Sequence, residues 1–163
     1  MTFILFISFV ILVRIGELVF SKRNEKWLLQ HGAVEYGHKH YPYIITLHVL
    51  FFVSLLVEYG TKTTVTYSLF LLVLYFVVLA CKVWVIMSLG KYWNTKIYHI
   101  SGLPLIKKGF YKYVKHPNYT IVIAEIILIP LIFHLYVTAI IFSLLNMIIL
   151  FIRINEENRV LKI

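Results

Sequence analysis

The chain reads as an all-α polytopic membrane protein, about five transmembrane helices ending in a C-terminal helical hairpin. Three observations predict this. Of 163 residues, 61% are hydrophobic and 14% charged, with mean hydropathy +0.86; a soluble domain of this size cannot bury so much apolar surface. The apolar residues gather in blocks near residues 2–20, 44–59, 65–89, 119–133 and 136–152. Most Lys and Arg lie at the ends of those blocks, where membrane orientation and anionic lipid place them. That placement argues against nucleic acid as the partner, although the net charge is +9. By length the chain is one domain, residues 1–163.

The first and third blocks are long enough to span a hydrocarbon core, which takes about 20 helical residues. The Met-Thr-Phe-Ile start lacks a basic region, and no small-residue cleavage site follows, so the first block is expected to stay as a helix. The second and fourth are shorter, and Pro130 interrupts the fourth; they are expected to tilt little, thin the bilayer or stop short of crossing. Only Phe133-His134-Leu135-Tyr136 separates the last two blocks, so they must form an antiparallel hairpin. Basic residues follow the first, third and fifth blocks (Lys22, Arg23 and Lys26; Lys91 through Lys115; Arg153 and Arg159), while the opposite side holds only Lys62. The positive-inside rule then puts the N-terminus outside and the C-terminus in the cytoplasm. Residues 21–42 begin helically and break at Gly32 and Gly37, and residues 90–118 read as an ordered loop.

Four groups of residues stand out chemically. In Lys115-His116-Pro117-Asn118-Tyr119, proline restricts the residue before it and suits a first helical turn. His116 is therefore held at a helix mouth, where unpaired N–H groups favour a carboxylate. Taken alone, the segment fits ordinary helix initiation equally well. Arg153 and Glu157 are four apart, sharing a face where the last helix leaves the membrane. Such a guanidinium can clamp a carboxylate or oxyanion, although a solvated charged helix end has the same pattern. Arg14 and Glu17 are three apart inside the first block, and intramembrane ions are functional candidates unless they pair with each other or snorkel. Lys82 is placed to meet Glu17 or Glu125. His31, His38 and His40 share a loop that lacks Cys and Asp, with Glu35 the nearby acid; no metal site is expected there, and the loop is read as a lid or substrate-facing segment. Cys81 reads as core packing.

Together, His-Pro-Asn-Tyr opening a helix and, after one hairpin, Arg153-Ile-x-x-Glu157 resemble the isoprenylcysteine carboxyl methyltransferase family over residues 89–161. Arg14-Ile-Gly-Glu17 and the run from Arg23 to Pro42 look like its small bacterial members. The resemblance implies an S-adenosylmethionine-dependent methyltransferase in a bacterial cell membrane. Residues 89–163 would form its cofactor-binding core and residues 1–88 its N-terminal helices and loop. By position, Leu105, Ile106, Gly109 and Tyr111 would line the adenosyl pocket, and His116, Pro117, Asn118, Tyr119 and Glu157 would hold the cofactor's polar end. Arg153, with Glu157, would be catalytic, facing a lipophilic or prenyl-type acceptor drawn from the membrane lipids. Arg14, Glu17, Glu35, His38, His40 and Trp93 would belong to the substrate side. One departure stands: the family's paired acids fall where this chain has Glu157 and Asn158, with Glu156 one step early. Two other classes remain open: an NADPH-binding reductase of related fold, and a non-catalytic membrane subunit.

Overall fold

A computed structural model describes residues 1–64, 66–102 and 108–161. It contains five helices: α1 (Thr2–Gln30), α2 (Tyr41–Gly60), α3 (Leu69–Leu89), α4 (Pro117–Ile132) and α5 (Tyr136–Leu161). Two short strands, β1 (Val34–Tyr36) and β2 (Ile97–His99), pair antiparallel with Glu35 opposite Tyr98. Among the described residues α1, α2, α3 and α5 are long and apolar enough to cross a membrane. The protein is an integral membrane protein of the all-α class. At 16 residues, α4 is about 24 Å long, short of the ~30 Å hydrocarbon core. The second block, expected to be short, becomes a 20-residue helix once Tyr41 and Pro42 join its first turn.

Local chemistry sets the boundaries. At the end of α1, Gly32 takes φ +78°, and Gly32 and Ala33 donate to the carbonyls of Leu29 and Leu28, closing a Schellman turn. The same motif ends α4 with an unusual residue. His134 adopts φ +55° while His134 N–H and Leu135 N–H donate to the Leu131 and Pro130 carbonyls. The hairpin to α5 is thus built by backbone bonds, and Glu58 of α2 caps α5 by accepting from Val137 and Thr138 N–H at 3.1 and 2.7 Å. A carboxylate there meets the positive end of the α5 dipole.

The helices alternate in direction. At one end Phe3, Tyr59 and Phe133 pack together, Phe3 stacked on Tyr59 at 3.7 Å and edge-on to Phe133 at 5.0 Å. Lipid is as apolar as these rings, so van der Waals fit rather than water exclusion holds them. Large apolar side chains on the outer faces, such as Leu12, Phe70 and Ile148, remain exposed, as lipid contact requires.

Mid-bundle, four ionised side chains join α1, α3 and α4. Glu125 accepts from Arg14 Nη2 at 2.9 Å and from Lys82 Nζ at 2.9 Å. Glu17 pairs with Arg14 at 3.1 Å and also contacts Lys82. Lys82 therefore meets both acids. Two cations balance two anions, which is how charge survives burial in a membrane. Arg14 and Glu17, expected on the substrate side, here join α1 to α3 and α4.

Candidate active site

The ends of α1, α3 and α5 and the starts of α2 and α4 meet at the other end of the bundle. Ser21 and Asn24 of α1, both buried, organise it. Asn24 donates to the Gly90 and Trp93 carbonyls at 3.0 and 2.7 Å. Ser21 bonds Asn94 Oδ1 and Thr95 Oγ1 and accepts from Thr95 N–H. The loop after α3 is thereby fixed to α1, leaving the Thr95 carbonyl to receive Arg153 Nη2.

Arg153 is buried on α5. Its Nε donates to the Tyr119 hydroxyl at 2.9 Å, and its guanidinium lies 5.4 Å from the Tyr119 ring centre. Tyr119 in turn donates to Glu157. His116 is the N-cap of α4, with Pro117 in the first turn. Its Nδ1 is 3.4 Å from Glu157 Oε2 and its Nε2 2.9 Å from Asn158 Oδ1. Hydrogen bonding to Glu157 raises the His116 pKa above the usual imidazole value against the opposing effect of burial. The result is one polar chain, Arg153–Tyr119–Glu157–His116–Asn158, in which Tyr119 bridges the guanidinium and the carboxylate.

This chain walls an open cavity of about 100 Å³. Trp93, Tyr111, Asn118 and Lys115 complete the wall. Burial and the Glu157 charge both push the Tyr111 hydroxyl upward in pKa. Trp93 Nε1 is buried without a partner among the described residues.

Arg153 also lines a second, narrower crevice with room for about one water-sized group, bounded by Glu35, His40, Tyr41, Lys96 and Glu156. Lys96, which lines both, pairs with Glu25 and Glu35 at 2.9 and 3.2 Å. The Tyr98 hydroxyl donates to the same two acids at 2.8 and 3.0 Å. Burial lowers the Lys96 pKa, but the bonds to both carboxylates outweigh it and raise the net value.

Several sequence-derived candidates thus come together and others do not. Tyr111, His116, Asn118, Tyr119, Arg153, Glu157 and Trp93 share the large cavity, so Trp93 lies with the residues expected to hold the cofactor and apart from Glu35 and His40. Glu35 and His40 line the crevice, while His38 is exposed on the turn before α2. Gly109 acts through packing rather than lining. At φ +54°, a Cβ there would sit 2.2 Å from Ser88 Oγ, so only glycine lets this turn rest on α3. Leu105 and Ile106 lie outside the described residues. Glu156 pairs with Arg159 at 2.7 Å on the crevice side while Glu157 faces the cavity, separating the two acids by location. Ser21, Asn24, Asn94, Thr95 and Asn158 were not anticipated. The missed signal is on α1: Arg14, Glu17, Ser21 and Asn24 recur at three- and four-residue steps, one polar stripe on one helical face.

A model of the isoprenylcysteine carboxyl methyltransferase family matches residues 71–163, the segment that carries this polar chain. The protein belongs to that family. Membership supports a membrane methyltransferase in general terms. The chain is 43% identical over 162 residues to the uncharacterized protein YpbQ of Bacillus subtilis (strain 168), covering 98% of this chain and 96% of that one. It is 30% identical over 152 residues to an uncharacterized protein of Haemophilus influenzae, covering 91% and 88%. No solved structure matches it.

Proposed function

We propose that this family member is an S-adenosylmethionine-dependent O-methyltransferase acting at the cytoplasmic face of a bacterial cell membrane. Its acceptor is lipophilic and enters from the bilayer: a prenylcysteine-type carboxylate, or the hydroxyl of a lipid-tailed phenol or pyrone. The observation that carries the reading is the location of Arg153, joined to the cofactor-side chain through Tyr119 and also lining the crevice on its other side.

The cavity residues fit the cofactor. Its amino-acid end carries one positive and one negative group, and the wall offers the Glu157 carboxylate beside a His116 held toward its charged form. The unpartnered Trp93 N–H is a donor that a ligand acceptor would satisfy. The Tyr111 ring offers a face to a cation, worth about 0.5–2 kcal/mol. By the resemblance, Leu105 and Ile106 add apolar contacts.

When bound, the cofactor supplies a methyl group on a sulfonium. The protein's part is positioning in a water-poor site. Tyr119 and the Thr95 carbonyl fix the Arg153 guanidinium, so it is pre-oriented and retains spare N–H donors for an acceptor oxygen. A carboxylate acceptor needs no base. A hydroxyl must lose a proton, and the Arg153 charge lowers its pKa.

Calorimetric titration of purified protein with S-adenosylmethionine and, separately, NADPH tests the reading. Binding of the first alone is expected. Binding of NADPH alone would indicate a reductase, and binding of neither a non-catalytic subunit.

A further inference from the structure

We propose that the narrow crevice admits the hydroxyl of the acceptor and that His40 takes its proton there. This rests on the methyltransferase reading and extends it to the acceptor class. His40 caps α2, and the helix that follows turns Tyr43 and Ile45 outward, 67% and 47% exposed. That apolar outer face lies in lipid, so an amphiphile with its tail along α2 brings its head to the crevice. Arg153 lines both the crevice and the cofactor cavity, and is the residue across which donor and acceptor meet.

Apart from the Tyr36 hydroxyl, the other polar side chains of the crevice have partners. Lys96 is held by Glu25 and Glu35, and Glu35 also accepts from Tyr98. Glu156 pairs with Arg159, and the Tyr41 hydroxyl is 3.2 Å from Thr95 Oγ1. Arg153 is bound to Tyr119 and Thr95. His40 Nδ1 is buried with no partner among the described residues. A buried polar atom left unpaired costs about 1–3 kcal/mol, and such atoms are kept where a ligand or a reaction uses them. The formal charges of the crevice also balance, Arg153 and Lys96 against Glu35 and Glu156. A neutral hydroxyl enters without upsetting that balance, whereas a carboxylate adds an uncompensated charge.

The step balances. The acceptor oxygen forms the new bond to the methyl carbon, and the bond from that carbon to the donor sulfur breaks with its electron pair going to sulfur. The hydroxyl proton passes to His40, and imidazole is the side chain best suited to hold it near neutral pH. Besides His38 and Lys39 on its own turn, the groups facing His40 are Glu35 and Tyr36 of β1, Tyr41 of α2, Lys96, and Arg153 and Glu156 of α5.

The test compares wild type with His40→Gln on para-dodecylphenol, on its ortho-nitro derivative assayed where that phenol is ionised, and on S-farnesyl N-acetylcysteine. S-adenosylmethionine binding is measured for each protein as the folding control. The variant is expected to lose at least about 100-fold in kcat/KM on the phenol and no more than about threefold on the ionised derivative. It should also bind para-dodecylphenol about tenfold more weakly without cofactor. Equal loss on both phenols, or no loss on either, overturns the role of His40. If His40→Gln no longer binds the cofactor, the wild-type pH profile decides. Activity on para-dodecylphenol must then fall toward acid pH by more than cofactor binding falls, and a parallel fall overturns the proposal. Wild type that methylates only the farnesylcysteine carboxylate overturns this inference and leaves the methyltransferase reading standing. Wild type that binds no S-adenosylmethionine overturns both.

Discussion

Glu125→Gln is the sharpest probe of how the bundle is held. Glu125 is 1% exposed and receives both Arg14 and Lys82 at 2.9 Å. The amide keeps the volume but leaves the buried Lys82 and the half-buried Arg14 facing Glu17 alone. Removing one partner of a buried ion pair costs about 3–5 kcal/mol. Because Glu17 contacts both cations, the loss is expected at the lower end, about 3 kcal/mol. In a chain of this size each kcal/mol moves the Tm by about 2–4 °C, so the midpoint should fall by about 6–12 °C. Lys82→Met should cost a similar amount. The double variant removes one cation and one anion and leaves Arg14 balanced by Glu17, so its loss should be about 2 kcal/mol less than the sum of the two. Thermal unfolding in one detergent, followed by tryptophan fluorescence, reads all four proteins. Losses that add to within about 0.5 kcal/mol would refute charge balance as what holds α1, α3 and α4 together.

Three further outcomes follow from the geometry. Gly109→Ala should cost about 1–3 kcal/mol through a left-handed backbone and the Ser88 contact; pairing it with Ser88→Ala should restore only part of the Tm, because the backbone strain remains. His116 has a raised folded pKa, so its pairing with Glu157 stabilises fully below the ordinary imidazole value near pH 6.5. That contribution is lost as pH rises through the folded value; a Tm against pH series should show the alkaline decline in wild type and its absence in His116→Gln. Glu58→Gln should lower stability by about 1–2 kcal/mol by uncapping α5, as measured by urea or thermal midpoint.

Much of this arrangement was legible because it is local. Block length and basic flanks marked the helices, and the four-residue span between the last blocks implied a hairpin. Pro117 placed His116 at a helix mouth, and spacing put Arg153 and Glu157 on one face. What was not legible is long-range. No period or motif announces that Val34–Tyr36 pairs with Ile97–His99 across sixty intervening positions. Nor does composition show that Ser21 and Asn24 carry the loop that aims at Arg153. The pair Arg14 and Glu17 stands out as charge inside an apolar helix, and the sequence alone leaves a functional role and simple pairing both open. Its partners, Lys82 and Glu125, come from two other helices, and only packing brings them together. The charged end of the last block continued α5 to Leu161, since Arg153, Glu156, Glu157 and Arg159 are all compatible with helix.

The most direct measurement is transfer of a labelled methyl group from S-adenosylmethionine into the lipid-extractable fraction of membranes carrying the protein. The account predicts label in that fraction with wild type, and loss of at least about 100-fold with Arg153→Ala and with Glu157→Ala. Wild-type membranes that transfer no label above membranes lacking the protein, or transfer that survives both substitutions, would contradict it.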